Sequence, residues 1–329
     1  MILPPALRPG DAVGIVAPSA PTGARVPRRL ARGVAELERH GFRVRLGEHV
    51  TSERPSLDDK LADLHTLFGD DEVRAIVCTI GGYDSHQLVE RLDFDLIAAN
   101  PKIFSGYSDI TALQTAIWTR TSVATFMGPM LLTDWAEFGG IPPYTWTEWE
   151  ATVMRAAPRG EIGAAREWTA EMTRWDEADD RPRVMEANPG PRALRGGVAE
   201  GPLVPANLST LLLFAGTEWW PDLAGAILCF EAAEEEQSWW IERSLHQLRH
   251  LGVWERAAGL AFGRCHPDSQ IEAGALDGML LAATRGSGFP IVVDLDFGHT
   301  EPHCTLPWGV RARLDGDTAS LALLEPAVA

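Results

Sequence analysis

The segment at residues 103–111 constrains the fold most, because it combines a buried strand with a helix that begins at once. An apolar run ends in Gly-Tyr-Ser-Asp, and apolar residues then recur at helical spacing from residue 112. A strand that passes directly into a helix is typical of a parallel sheet with helices on both faces. Similar patterns at residues 12–37 and 73–92 predict such an α/β architecture for the N-terminal part.

Ser108 stands at the turn between this strand and its helix. A tight turn there exposes the hydroxyl, and the N–H groups of the following helix point to the place where an oxyanion would form. The usual G-x-S-x-G elbow has a second glycine, and this chain has Ile110 at that position. Helix capping is the alternative role, since serine is a good N-cap. The local sequence leaves both roles open.

Two further reactive side chains follow predicted buried strands. Glu231 ends the strand at residues 226–231, and His299 follows the strand at residues 291–298. In open sheets, groups at the carboxyl ends of strands converge on the site. Serine, a carboxylate and histidine are the parts of an acyl-transfer triad, and the chain order Ser, Glu, His is one that works. The plainer alternatives are that Glu231 begins a solvated acidic run at residues 234–236 and that His299 is a loop histidine.

A glycine pair, Gly81-Gly82, follows the predicted strand at residues 73–80. It lets the backbone approach a substrate closely. An N–H of this pair and the N–H of Asp109 would then be the two donors of an oxyanion hole. Loss of one such donor costs about 3–4 kcal/mol of transition-state stabilisation. The alternative is a tight turn with no catalytic role.

Composition and charge exclude several classes of function. The 329 residues suggest two domains or one large one, and the formal net charge of -17 argues against sequence-independent binding to nucleic acid or anionic membranes. The N-terminus lacks the pattern of a signal peptide, and no apolar run approaches the ~20 residues of a membrane span. The four cysteines are scattered without a C-x-x-C pair, so we expect a cytoplasmic protein.

The sequence gives little support to a metal or a nucleotide cofactor. Neither G-x-G-x-x-G nor G-x-x-x-x-G-K-[ST] occurs. The available metal ligands are His299, His303, Cys265, His266 and Cys304. Their spacing is not that of a zinc motif, and Pro302 argues against a helix that carries both histidines. We therefore expect no metal and no cofactor.

Residues 141–195 differ from the rest, with many prolines, glycines, tryptophans and charges and weak periodicity. The part that carries Trp168 and Trp175 is too aromatic for an idle linker. These tryptophans either pack the linker onto a domain or form a loop over a binding cleft. We expect a nucleophile domain at residues 1–140, this linker and loop at residues 141–195, and a second domain at residues 196–329.

Together, several segments resemble the LD-carboxypeptidases, the serine peptidase family S66, and most of all its microcin C immunity branch. They lie at residues 10–19, 79–85, 106–111, 207–211, 228–231, 298–302 and 306–309. The resemblance implies an N-terminal α/β domain with the serine and a small barrel-like β/α C-terminal domain with the glutamate and histidine. The site would form between them, relatives are usually homodimers, and no metal or cofactor is expected.

The resemblance also implies roles for individual residues. Ser108 would be the nucleophile, His299 the base and Glu231 its orienting partner. The backbone amides of Gly82 and Asp109 would be the oxyanion donors. Further substrate contacts would come from Gly81, Asn207, Trp168 and Trp175. The two tryptophans look like the extended loop of the immunity branch, where an aromatic side chain stacks on a nucleobase for ~1–3 kcal/mol.

The chain departs from the family in two places near the expected substrate. Pro205-Ala206 precedes Asn207 where Gly-Gly is usual, and residues 234–236 are acidic where some relatives carry a basic residue for a substrate carboxylate. We expect cleavage of the amide bond of a peptidyl or aminoacyl nucleotide of the microcin C type. The alternatives are an L,D-carboxypeptidase that trims a murein tetrapeptide, and a binding protein with an idle triad.

Overall fold

The chain forms two large β-sheets with helices packed on them, and a computed structural model describes residues 1–272 and 274–329. The strands are β1 (Ala12–Val16), β2 (Arg43–Leu46), β3 (Val73–Cys78), β4 (Ile103–Gly106), β5 (Phe126–Met127), β6 (Gly160–Ile162), β7 (Glu167–Trp168), β8 (Glu186–Ala187), β9 (Arg192–Arg195), β10 (Val198–Asn207), β11 (Ile227–Glu231), β12 (Gly259–Gly263), β13 (Ile291–Leu295), β14 (Leu306–Pro307), β15 (Arg311–Asp315) and β16 (Ser320–Leu323). The α-helices are α1 (Thr22–Arg25), α2 (Pro27–Arg39), α3 (Leu57–Gly69), α4 (Phe94–Ala99), α5 (Thr111–Thr121), α6 (Pro143–Val153), α7 (Leu208–Leu212), α8 (Ser238–His250) and α9 (Ala275–Ala283).

The first sheet has the order β14-β5-β4-β3-β1-β2, and its five N-terminal strands run parallel. Side chains of β1 alternate between two cores. Ala12 and Val16 pack in one core with α3 and α5, and Val13 and Ile15 pack in the other with α2 and α6. Burial on both faces explains the continuous apolar strands. The predicted α/β architecture of the N-terminal part is confirmed.

The second sheet lies in the C-terminal part and has the order β6-β16-β15-β10-β11-β12-β13-β9. Strands β10 to β13 run parallel, and the remaining pairs are antiparallel. Helices α7, α8 and α9 cover one of its faces. The predicted strands at Glu231 and before His299 therefore belong to one parallel set, with β12 between them.

The chain crosses between the two sheets more than once. β14, from the C-terminal part, pairs antiparallel with β5 in the first sheet. β6 and β9, from residues 141–195, pair with strands of the second sheet. The pairing of β14 with β5 therefore ties the C-terminal part to the first sheet, and the division at residues 140 and 195 stays a prediction. None of the described helices has the length and apolar character needed to cross a lipid bilayer.

Candidate active site

Ser108 is presented at a strained turn directly after β4. It begins a short 3-10 turn, Ser108–Ile110, that leads into α5, and its φ is 60°. A non-glycine residue in this left-handed region costs about 1–3 kcal/mol, so the surrounding structure must hold it there. Tyr107 precedes the 3-10 turn and Ile110 precedes α5, and neither helix start has a side-chain cap. The capping alternative for Ser108 is therefore not what the fold uses.

The turn at Ser108 requires a glycine before the serine, at Gly106, and not after it, at Ile110. A Cβ atom on Gly106 would lie 2.9 Å from Cγ2 of Ile110, so Ile110 packs directly over the strand end. Ile110 is fully buried. The isoleucine that replaces the second glycine of the usual elbow thus packs over the remaining glycine.

Gly81 allows the neighbouring loop to approach the serine. A Cβ atom on Gly81 would lie 2.8 Å from Cβ and 2.9 Å from Oγ of Ser108. Gly82 has a φ of 154°, and a Cβ atom there would lie 2.8 Å from the backbone N of Ala20. A side chain at Gly81 would push the loop away from Ser108, and one at Gly82 would push it away from the loop that follows β1, so the glycine pair makes a close approach and not merely a turn.

The carboxylate of Asp109 joins three loops beneath Ser108. Its Oδ2 accepts hydrogen bonds from Ser19 Oγ at 2.6 Å and from the backbone N–H of Ser85 at 2.9 Å. The Asp109 carbonyl accepts a third, from Ser85 Oγ at 2.7 Å. Sequence reasoning gave Ser19 and Ser85 no role, although each follows a predicted buried strand.

His299 and Glu231 form a hydrogen-bonded pair at the carboxyl ends of the parallel strands in the second sheet. His299 Nδ1 lies 2.6 Å from Glu231 Oε2, and Glu231 is 1% exposed. Gly298 has a φ of 105°, and a Cβ atom there would lie 2.8 Å from Cβ of Glu231. Glycine at 298 thus lets the histidine loop pack on the glutamate.

A cavity of about 250 Å³ brings Ser108 and His299 to one surface. Gly81, Gly82 and Trp175 also line it. None of the hydrogen bonds between described residues joins Ser108 to His299. Catalytic hydrogen bonds are often loose without substrate and tighten when it binds. The cavity therefore offers room for a substrate group between the two side chains.

The acidic run at residues 234–236 is only partly a solvated face, because Glu235 is exposed and Glu236 is buried. Glu236 is 7% exposed, and its Oε2 accepts a hydrogen bond from the backbone N–H of Ala233 at 2.9 Å. Burial raises the pKa of Glu236 to about 7. Glu234 Oε2 lies 3.8 Å from His299 Nε2. Burial lowers the pKa of His299, but Glu231, Glu234 and Glu236 outweigh it and raise that pKa to about 9.

The remaining predicted contacts lie in different places. Asn207 lines a second cavity and caps α7, because its Oδ1 accepts from the backbone N–H of Thr210 at 3.0 Å. Trp175 lines the first cavity, and the Arg29 guanidinium lies 4.3 Å from its ring centroid. Trp168 lies in β7 with the Arg264 guanidinium 4.8 Å from its ring, and it is not among the described lining residues.

A buried network of ion pairs fixes residues 141–195 against the site. Arg183, from this segment, pairs with Glu301 and with Glu137, the latter at 2.9 Å. Arg29 pairs with the other oxygen of Glu137. Thr169 and Glu301 also exchange two backbone hydrogen bonds, at 2.7 and 2.9 Å. The tryptophan-bearing segment is thus tied to the loop that carries His299.

Among the described residues, Asp134, Glu301 and His303 could hold a metal, because one ligand atom of each lies within 4.8 Å of the others. His299, Cys265, His266 and Cys304 are outside this group. Arg183 already pairs with Glu301, so a metal ion would compete with a guanidinium for that carboxylate. The group therefore fits an ion-pair network better than a metal centre.

Comparison with known proteins accounts for both halves of the chain. The profile of the LD-carboxypeptidase N-terminal domain matches residues 13–128, and that of the C-terminal domain matches residues 200–314. The chain belongs to the LD-carboxypeptidase family, peptidase family S66. It is therefore a hydrolase of the serine peptidase class, as the sequence predicted.

Relatives of this S66 peptidase carry two kinds of name. The Bacillus subtilis protein YocD, named as a carboxypeptidase, is 33% identical over 94% of each chain. A second B. subtilis protein, named as a probable murein peptide carboxypeptidase, is 33% identical over 95% of this chain and 91% of its own. The Escherichia coli microcin C7 self-immunity protein MccF is 29% identical over 96% and 94%. A solved structure of MccF with aspartyl sulfamoyl adenosine is 28% identical, covers both chains completely and has a TM-score of 0.93.

We predict that Asp109→Ala destabilises the protein by about 3 kcal/mol or more, because two buried donors lose a charged acceptor worth roughly 1.5–3 kcal/mol each. Urea unfolding followed by circular dichroism measures the change. Asp71→Ala, at an exposed carboxylate, is the matched control and should stay within about 0.5 kcal/mol of the native protein. A loss below about 1 kcal/mol for Asp109→Ala would show that the carboxylate does not hold these loops together.

We further predict that the His299 imidazole titrates near pH 9 in an NMR titration of the histidine ring protons. Glu231→Gln should lower this pKa, because removal of an adjacent negative charge favours the neutral ring. Glu234→Gln should lower it less, since Glu234 is farther away, and the remote Glu255→Gln should leave it unchanged. A His299 pKa at or below the ordinary 6.5 in the native protein would contradict the electrostatics described above.

Proposed function

We propose that Ser108, His299 and Glu231 act as a catalytic triad in amide hydrolysis. Neutral His299 accepts the Ser108 proton through Nε2 while Oγ attacks the amide carbonyl carbon. Glu231 accepts the Nδ1–H hydrogen bond and stabilises the imidazolium that forms. The support for these roles is the 2.6 Å contact between Glu231 and His299 and the cavity that Ser108 shares with His299.

The backbone N–H groups of Gly82 and Asp109 stabilise the oxyanion of the tetrahedral intermediate. His299 then donates its proton to the leaving nitrogen, which breaks the amide bond and leaves an acyl group on Ser108. A water molecule, deprotonated by His299, hydrolyses this ester and returns the serine. The raised pKa of His299 means that the neutral base becomes more abundant as the pH rises towards 9, so the rate of acylation rises with it.

We propose a peptidyl or aminoacyl nucleotide of the microcin C type as the substrate. The observation that carries this choice is Trp175, which lines the same cavity as Ser108 and His299. An indole in that position offers a stacking surface to a nucleobase. The solved structure of MccF with aspartyl sulfamoyl adenosine agrees with such a ligand class.

A murein tetrapeptide is the second candidate substrate, and cleavage would then release its terminal D-alanine. The 33% identity to a relative named as a probable murein peptide carboxypeptidase favours it. The two candidate substrates differ in whether their binding requires Trp175. A nucleobase needs its indole as a stacking surface, and a tetrapeptide does not. A binding protein with an idle triad is the third possibility, and it predicts no turnover of either substrate.

We also propose that the protein works in the cytoplasm as a homodimer. The four cysteines are free thiols, which suits a reducing compartment. Leu213, Trp239 and Trp240 are large apolar side chains that are 54%, 49% and 46% exposed, and a partner would cover them. Light scattering on the purified chain measures its mass, and a monomer at micromolar concentration would contradict the homodimer.

Mass spectrometry of a substrate panel tests the proposed reaction. We predict that the native protein cleaves an aminoacyl sulfamoyl nucleotide and that Ser108→Ala lowers the rate by at least about 1000-fold, because the nucleophile is lost. Ser52→Ala, away from both cavities, is the matched control and should cleave normally. Cleavage of a murein tetrapeptide alone would assign the second candidate, and unchanged cleavage by Ser108→Ala would exclude the triad.

We predict that Trp175→Ala lowers kcat/KM for an aminoacyl nucleotide by roughly 5- to 150-fold, the equivalent of about 1–3 kcal/mol of stacking. Trp175→Phe should recover part of the loss because it restores an aromatic face. Trp168→Ala is the matched control and should have the smaller effect. Steady-state kinetics measures kcat/KM for a nucleotide and for a tetrapeptide substrate. An equal loss of kcat/KM for both substrates would mean that Trp175 supports the loop and does not stack on a base.

A further inference from the structure

Two cavities meet at Ser108. The first is the cavity with Trp175 and His299, and the second has a volume of about 300 Å³. Both are lined by Gly82, Tyr83, Ser108 and Glu235. A substrate whose scissile bond lies over Ser108 therefore extends into both cavities. If the leaving group with its base lies beside Trp175, the acyl half occupies the second cavity.

The second cavity is lined by acidic and aromatic side chains. The acidic ones are Asp109, Glu235 and Glu236, and the aromatic ones are Tyr83, His86 and Trp240. No lysine or arginine is among the described residues that line this cavity. The second cavity thus has a negative lining close to the proposed nucleophile.

Of the three carboxylates in this lining, Glu235 is the one most open to a ligand, because Glu236 is buried and already accepts a hydrogen bond from the backbone N–H of Ala233. Asp109 is already bonded to Ser19 and Ser85, as described above. Glu235 accepts a hydrogen bond from Tyr83 Oη through Oε1, at 2.7 Å, and this is its one described hydrogen bond, so Oε2 stays available. Glu235 is exposed and Glu236 is buried. Tyr83 adds an aromatic face, which also attracts cations.

We infer that the second cavity binds a positively charged group on the acyl half of the substrate and rejects a carboxylate there. This inference rests on the proposed function, since it assigns the acyl half of that substrate. A carboxylate in the cavity would face the charge of Glu235, and that of Glu236 when it is ionised, with no lysine or arginine in the described lining to neutralise it. An ammonium or guanidinium would instead form charge-assisted hydrogen bonds with them.

The positive charge can come from two sources. One is the free α-ammonium of an aminoacyl group, and the other is a basic side chain of the lysine or arginine type. Both present the same N–H donors to Glu235. Substrate pairs that remove one charge at a time distinguish them.

Equilibrium binding to Ser108→Ala tests the inference without depending on turnover. Isothermal titration would compare lysyl, norleucyl, N-α-acetyl-lysyl and glutamyl sulfamoyl adenosine. Lysyl should bind at least about tenfold more tightly than glutamyl, and loss of one positive charge should weaken binding by roughly 10- to 150-fold. A loss with norleucyl identifies the side chain as the source, and a loss with the acetylated ligand identifies the α-ammonium.

Variants of Glu235 in the same background assign the effect to the cavity. Glu235→Gln should weaken lysyl binding, and Glu235→Lys should shift the preference towards glutamyl. Glu242→Gln, on α8 and outside the lining, is the matched control. Equal or tighter binding of the glutamyl ligand, or lysyl binding that Glu235→Gln leaves unchanged, would overturn the inference.

The same comparison in the native protein separates this inference from the proposed function. Ser108-dependent cleavage that favours glutamyl over lysyl would overturn the charge preference and leave the hydrolase standing. A lysyl preference in binding, with no cleavage of any ligand by the native protein, would overturn the proposed reaction and leave the charge preference standing. A tetrapeptide pair with lysine or glutamine as its third residue extends the test to the second substrate class.

Discussion

The site depends on the carboxylate of Asp109, which holds three loops of the first sheet around Ser108. Its hydrogen bonds to Ser19 and Ser85 fix the ends of β1 and β3 against the start of α5. This tie allows Ser108 to keep a φ of 60° despite the cost of that conformation. It also keeps Gly81 close to the hydroxyl, where no side chain would fit. Strain at the serine is thus supported by buried polar contacts one residue away.

The second half of the site comes from the other sheet, so its geometry depends on how the two sheets join. β14 enters the first sheet just after the loop of His299, and Glu301 in that loop pairs with Arg183. The same arginine contacts Glu137 from the N-terminal part. A change in this buried network would therefore move His299 relative to Ser108 and alter the Trp175 loop at the same time.

Much of this arrangement was predictable from the sequence, because the strands are continuous apolar runs. The ends of these runs can be located in the sequence: Glu231 is the last residue of one, and Ser108 and His299 each follow another. The contacts of Arg183 were not predictable, since its partners lie 46 and 118 residues away in the sequence. The acidic run at residues 234–236 suggested that Glu236 is solvated, whereas long-range packing buries it beside the site. Sequence also could not separate Trp168 from Trp175, because only the packing of the loop sets which indole lines the cavity.

Acidic side chains dominate the charge of the site. Glu231, Glu234 and Glu236 together raise the pKa of the candidate base, and Glu235 and Glu236 line the cavity beside the candidate nucleophile. One acidic segment therefore acts on the base and on the ligand. Its two effects have separate readouts, the titration of His299 and the charge preference of the ligand.

Intact-protein mass spectrometry after treatment with a fluorophosphonate tests the central claim, that Ser108 is an activated nucleophile, most directly. We expect one adduct per chain, mapped to Ser108 by peptide sequencing and absent from Ser108→Ala. An active serine peptidase labelled in parallel confirms that the reagent works. A native protein that stays unlabelled under those conditions, or a label that persists in Ser108→Ala, would contradict the account.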